Sequence, residues 1–182
     1  LENLVGLATV KRELNRIKAF TIKNKGKNVN LHMTFLGNPG TGKTVVARLL
    51  GQILYEAGVL KNNKFVECSR ESLIGMYIGE TAIKTRKAID EAMGGVLFID
   101  EAYSLYQKGP EKALGHEAIV ELLKAMEDHR GEFCCIMAGY TNEMLELFNM
   151  NPGFKSRVQF FIDFPDYSKD ELIEIGKLML KN

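Results

Sequence analysis

The chain is 182 residues long, 46% hydrophobic and 26% charged, which suits one globular domain with a sizeable core and a short appendage. Its 24 basic and 23 acidic residues leave a formal charge of +1, which excludes a bulk electrostatic pull toward nucleic acid or an anionic membrane. No apolar stretch approaches the roughly 20 residues of a membrane span, and Leu1-Glu2-Asn3 lacks the basic and apolar regions of a signal peptide, so the cytoplasm is the expected compartment.

Residues 1–7 read as an extended or looped arm. A helix follows, with Thr9 as its N-cap and Val10, Leu14 and Ile17 on one apolar stripe. The Lys/Asn/Gly-rich stretch 23–30 is a solvated loop. The apolar run Leu31 to Leu36 then predicts a strand, and Val45 to Ala57 an amphipathic helix that stops at Gly58.

Between that strand and that helix lies Gly37-Asn38-Pro39-Gly40-Thr41-Gly42-Lys43-Thr44, a complete G-x-x-x-x-G-K-[ST] pattern in the strand-loop-helix context that gives it meaning. Glycines let backbone N–H groups turn inward, and the helix N-terminus adds partial positive charge, so the loop is an anion cradle. Lys43 is expected to reach the β- and γ-phosphates of a nucleotide. Thr44 is expected to hold Mg²⁺, because a polyanionic ligand needs both a mobile cation and a metal to spread its charge.

Phe65 to Cys68 reads as a second strand, and 71–80 carries no clean period; its centre, Met76-Tyr77-Ile78-Gly79, is an exposed loop. Ile83 to Met93 returns to helix, closed by Gly94-Gly95. Val96 to Ile99 is unbroken and apolar, as in a strand buried on both faces of a parallel sheet. Residues 107–115 break structure. Ile119, Leu122, Leu123 and Met126 mark another helix, and Phe133 to Ala138 is a fourth strand. Met144 to Phe148 is a short helix ended by Asn151-Pro152-Gly153, and Gln159 to Phe164 is a fifth strand at an edge. Ser168 to Glu171 forms a capping box before Leu172, Ile175 and Met179. Strands alternating with helices give an α/β domain with a mainly parallel sheet. Cys68, Cys134 and Cys135 lack zinc spacing and read as buried reduced thiols, the adjacent pair pointing to opposite faces of its strand. The histidines at 32, 116 and 129 show no metal-ligand spacing either, so no protein-held metal beyond a nucleotide's Mg²⁺ is expected.

Asp100-Glu101 follows directly on Ile99, at the carboxyl end of a strand where open α/β sheets bind ligands. Beside a phosphate loop the two carboxylates take separate work. Asp100 serves the Mg²⁺ shell and Glu101 takes a proton from attacking water. A base for water points to a hydrolase rather than a kinase, whose acceptor brings its own hydroxyl.

Leu4-Val5-Gly6-Leu7, His32 through Thr44, Gly94 through Tyr103, and Asn151-Pro152-Gly153-Phe154 through Asp163-Phe164-Pro165-Asp166-Tyr167 together resemble an AAA+ ATPase, most closely the CbbX/CfxQ group, which also holds stage V sporulation protein K and type VII secretion ATPases. The resemblance covers nearly the whole chain. It implies a P-loop NTPase core with a five-stranded sheet of order 5-1-4-3-2, ATP and Mg²⁺ as cofactors, and a hexameric ring of the full-length protein acting on a protein client. Residues 1–165 would be the large nucleotide-binding subdomain and 166–182 either the first helix of a lid that is otherwise absent from the sequence or a C-terminal appendage.

Carried over by position, Val5 and Gly6 line the adenine pocket, while Asn38, Pro39, Gly40, Thr41, Gly42, Lys43, Thr44 and Asp100 hold nucleotide and metal. Arg157 matches the arginine finger offered to the neighbouring subunit, and Lys155 stands where relatives carry a second arginine but lacks its planar fork. The γ-phosphate sensor falls at Thr141 or Asn142. Asn142 is favoured slightly because an amide donates and accepts at once. Tyr77, Ile78 and Gly79 match the aromatic pore loop that grips a polypeptide. Competing readings are a nucleotide-gated scaffold and a nucleic-acid motor or loader, the latter opposed by the near-neutral charge. The Lys/Asn/Ile-rich surface points to the sporulation branch among the group's processes.

Overall fold

The computed structural model describes residues 4–77, 79–106, 109 and 112–180, and in it strands and helices alternate as the apolar runs predict. The strands are β1 (Met33–Leu36), β2 (Phe65–Cys68), β3 (Val96–Ile99), β4 (Cys134–Gly139) and β5 (Phe160–Asp163). They form one five-stranded sheet of order β2-β3-β4-β1-β5, which is the expected order read from the other edge. Every pairing is parallel. Each crossover therefore runs over a face of the sheet, and the central strands β1, β3 and β4 are buried along their whole length. That double burial is why they read as unbroken apolar runs, whereas the edge strands β2 and β5 are only partly buried.

Helices α1 (Ala8–Lys23) and α2 (Lys43–Glu56) cover one face, where Val10, Leu14 and Ile17 meet Val46, Leu50 and Leu54. The other face carries α3 (Arg70–Leu73), α4 (Glu80–Ala92), α5 (Lys112–Asp128), α6 (Thr141–Met150) and α7 (Pro152–Arg157), with a core around Ile89, Leu122, Met126, Phe148 and Phe154. Side chains alternate across the pleat, so Cys134 belongs to the first core and Cys135 to the second. All three cysteines are buried free thiols. The last helix, α8 (Lys169–Met179), opens with the predicted capping box: Glu171 N donates to Ser168 Oγ at 3.3 Å and Ser168 N to Glu171 Oε2 at 2.8 Å. Among the described residues, no helix is long and apolar enough to cross a membrane.

Some boundaries differ from expectation for identifiable reasons. Helix α1 begins at Ala8, with Leu7 rather than Thr9 at its N-cap. Gly6 and Leu7 both have positive φ, 62° and 53°, and this turn drives the Leu7 side chain inward to 4% exposure. Packing of Leu7 thus overrides the hydroxyl-cap preference. Helix α6 ends at Met150, before Asn151-Pro152-Gly153 as expected, but Pro152 also starts α7 at its first position, where a missing N–H costs nothing. Helix α4 begins three residues early because Glu80 accepts from the N–H groups of Met76 (2.9 Å) and Tyr77 (3.2 Å). Helix α5 begins at Lys112, inside the stretch read as broken, and Ala102–Leu105 forms a short 3₁₀ helix that no periodicity signalled.

Candidate active site

The loop Gly37 to Gly42 joins β1 to α2 and needs its glycines for two separate reasons. A side chain at Gly37 would strike the backbone carbonyl of Phe164, and Gly42 sits at φ 89° with the Tyr167 hydroxyl 2.9 Å from where a Cβ would lie. Within the loop, Thr41 Oγ1 donates to Asn38 O at 2.7 Å. Lys43 Nζ donates to Gly37 O at 2.8 Å and to Asn38 O at 2.6 Å. The ammonium is therefore fastened to the loop's own carbonyls, and only 8% of the residue is exposed. Burial lowers its pKa, and the nearby Asp100 carboxylate opposes that shift.

Asp100 and Glu101 arrive from the carboxyl end of β3, next to the loop. Asp100 N donates to Cys68 O on β2, and Glu101 N donates to Asp100 Oδ1, each at 2.9 Å. Glu101 has φ 48°, a left-handed conformation that is costly for a side-chain-bearing residue and persists only where its surroundings enforce it. The enforcement comes from the 3₁₀ helix behind it, where Ser104 N donates to Glu101 O (2.8 Å) and Arg70 Nη1 to Ser104 O (2.7 Å). Tyr103 packs on Tyr140 with ring centroids 5.8 Å apart. Burial, and then the charge of Glu101, push its hydroxyl up to about 12.

These groups share one cavity of about 380 Å³, walled by the loop, Lys43, Thr44, Val45, Asp100, Glu101, Gly139 and Tyr140. A second chamber of about 230 Å³ adjoins it, sharing Gly42 and Val45, and is lined by Leu4, Val5, Leu7, Val46, Tyr167, Ile175, Leu178 and Met179. The first chamber carries one ammonium, from Lys43, and the two carboxylates of Asp100 and Glu101; the second is apolar with an aromatic edge. Together they match an anion-bearing ligand with a flat heterocycle.

Of the expected site residues, Pro39, Gly40, Gly42, Lys43, Thr44, Asp100 and Glu101 line the first chamber and Val5 the second. Gly6 lies behind Val5 against the Glu171 side chain, and Thr41 is buried within the loop. Asn38 points its amide away, to the Asp166 carboxylate. Thr141 and Asn142 are exposed in the first turn of α6, just past Tyr140, and neither lines the cavity. Arg157 ends α7 outside both chambers, its Nη1 donating to Gly153 O at 3.1 Å, while Lys155 Nζ donates to Asn149 Oδ1 at 2.7 Å. Tyr77 is 71% exposed, and Gly79 N donates to the Glu117 carboxylate of α5 at 3.2 Å. Ile78 lies outside the described residues. Val45, Tyr140, Tyr167 and the inner face of α8 were not expected in the site. The motif ending in Tyr167 and the Leu172/Ile175/Met179 stripe were the only available signals.

A parallel sheet of this order, a glycine-rich loop between the central strand β1 and its helix, and an acidic pair at the end of β3, with β4 between the two strands, define a P-loop NTPase. Residues 33–166 match the family described as "ATPase family associated with various cellular activities (AAA)". The chain belongs to that family, and within it to the CbbX/CfxQ group. It is 49% identical to stage V sporulation protein K of Bacillus subtilis (97% of this chain, 57% of that protein). It is 46% identical to protein CfxQ of Xanthobacter flavus (98% and 59%) and 45% identical to the chloroplastic ribulose bisphosphate carboxylase/oxygenase activase of Cyanidioschyzon merolae (98% and 64%). The chain thus spans about three fifths of the length of these relatives. The FIGL-1 AAA domain, solved in complex with ADP, shares its fold at a TM-score of 0.71 and 21% identity, over 98% of this chain and 59% of that one.

Proposed function

We propose that this chain is the nucleotide-hydrolysing part of a protein-remodelling ATPase that works as a ring, hexameric in the full-length protein, on a protein client in the cytoplasm. The observation that carries the reading is the shared cavity, in which a lysine, a hydroxyl, and two carboxylates of different backbone conformation face one space. Lys43 leaves the loop carbonyls for the phosphates, Glu101 takes the proton of the attacking water, and Arg157 is lent to the neighbouring subunit, which ties turnover to assembly. Tyr140 closes the far wall, with Thr141 or Asn142 behind it as the sensor. Adenine takes the apolar chamber between Val5, Val45 and Tyr167.

Magnesium fits this donor set. Thr44 and Asp100 face the same cavity, and among the described residues no three His, Cys, Asp or Glu side chains are grouped to cage an ion. An ion held by Thr44 and Asp100 would take its remaining ligands from nucleotide and water, the usual habit of magnesium, and would supply neutralisation of phosphate charge. The buried free thiols suit a reducing compartment. Exposed Tyr77 supplies the client grip, and 166–182 begins the lid. Likeness to stage V sporulation protein K supports sporulation as the process, by a narrow margin over the CfxQ and activase relatives.

The test is phosphate release by the full-length protein with Mg²⁺ and ATP, beside a pull-down with its Glu101→Gln variant loaded with ATP. Turnover in the first and client retention in the second are expected; a full-length protein that binds ATP without hydrolysing it would overturn the reading in favour of a nucleotide-gated scaffold.

A further inference from the structure

Asn38 holds three partners at once. Its carbonyl accepts from Lys43 Nζ and Thr41 Oγ1, and its side-chain amide donates to both oxygens of Asp166, at 3.0 and 3.1 Å. The last contact joins positions 128 residues apart in sequence. It also sets a carboxylate beside a loop built to receive anions, an arrangement that simple electrostatics disfavours. A charge kept there in spite of that cost needs a mechanical reason.

The geometry around Asp166 supplies one. On its amino side, Phe164 N donates to Leu36 O at 2.7 Å and its ring packs on Phe35, with centroids 4.9 Å apart. On its carboxyl side, Tyr167 walls the apolar chamber, and Ser168 and Glu171 cap α8, with Glu171 in contact with Gly6. Asp166 therefore sits in a short strap fixed at both ends, with Pro165 restricting the backbone between. Through Asn38 that strap reaches the atoms that hold Lys43.

We infer that Asp166 is a positioning residue that clamps the phosphate loop, through Asn38, to the start of α8, so that nucleotide occupancy and the placement of α8 are coupled. This rests on reading the two chambers as the nucleotide site. Such coupling is reciprocal: whatever fixes α8 pre-forms the loop, and phosphates seated in the loop steady α8. Tyr167 and Asp166, adjacent in the chain, divide the work between base and phosphates.

The test is a double-mutant cycle of Asn38→Ala and Asp166→Ala in this chain, read by titration with fluorescent ADP and by amide hydrogen exchange at Glu171 and Leu172. Because both residues are exposed, the expected loss is modest, about threefold in ADP affinity for Asp166→Ala, and no further loss in the Asn38→Ala background. Removing a negative charge alone would instead tighten ADP, so the sign separates a clamp from a field. ADP should slow exchange in the first turn of α8 in the parent chain but not in Asp166→Ala. Unchanged or tighter binding in Asp166→Ala, or losses that simply add, overturns the inference. If the parent chain fails to bind ADP, it is the nucleotide-site reading that falls.

Discussion

Arg157 lies against Glu127, its Nε 3.4 Å from Oε2 of a carboxylate whose other oxygen accepts from Arg130 Nη2 at 2.7 Å. The contact aligns charges without a good hydrogen bond, since Arg157 Nε is buried and otherwise unpartnered. Glu127 belongs to the last turn of α5, so the guanidinium proposed for the neighbouring subunit is oriented by a helix of its own subunit. In Glu127→Gln we expect turnover of the assembled full-length protein to fall roughly tenfold, less than the hundredfold or more for losing a positioned charge outright. ADP affinity should hold, and stability should change by under about 1 kcal/mol because the pair is partly solvated. Turnover equal to the parent would separate Arg157's role from Glu127.

Glu101 should show a trade between function and stability. Glu101→Gln is expected to keep ATP affinity while turnover drops about a hundredfold or more. Glu101→Gly should lose turnover as well, yet gain about 1 kcal/mol in denaturant unfolding, because glycine adopts φ 48° without the side-chain penalty. A destabilised Glu101→Gly would show that side-chain contacts, not the surrounding backbone, hold that conformation.

His32 predicts an acid limit. Its Nδ1 accepts from Cys135 N at 3.1 Å, which leaves Nε2 to donate toward Met126 O at 3.3 Å, so the fold requires the neutral ring. Burial first, with smaller pushes from Arg130 and Arg157 against a raising bond to Met126, lowers its pKa from 6.5 to about 4. The unfolded chain therefore binds the proton first. Stability should be unaffected by this group above pH 6.5 and fall as pH drops from there to about 4, by roughly 3 kcal/mol in all. Urea melts across that window should show the slope, and His32→Gln, which keeps one donor and one acceptor, should flatten it.

The Tyr77 side chain is mostly exposed, unlike a core tyrosine, and Met76 beside it is 87% exposed. We expect Tyr77→Ala to leave basal hydrolysis and melting temperature unchanged while client remodelling by the full-length protein is lost. Remodelling at the parent rate would place the grip elsewhere.

Much of this architecture could be read locally. The strands Phe65–Cys68 and Val96–Ile99 appear at their predicted residues because a strand buried on both faces, or bounded by polar turns, announces itself by composition. The division of Cys134 and Cys135 between two cores followed from the pleat alone. The grouping of the loop with Asp100 and Glu101 around one cavity was equally legible, since one contiguous loop and one acidic pair build most of it. The apolar chamber was not. Leu4, Val46, Tyr167 and Met179 meet only once the chain has folded, and nothing near any of them in sequence encodes the meeting. The same holds for Glu127 and Arg157, and for Asn38 and Asp166. Leu7 escaped for a different reason: a bulky residue at positive φ runs against local preference and is decided by what it packs on.

Most of the apolar chamber's wall comes from residues 4–7 and 167–179, with Gly42, Val45 and Val46 completing it, whereas the first chamber is built from the interior of the chain; on the proposed reading, discrimination among bases and affinity for pyrophosphate are therefore separable properties. A domain pared back at both extremities would still hold a diphosphate, and would treat ADP, GDP and CDP nearly alike.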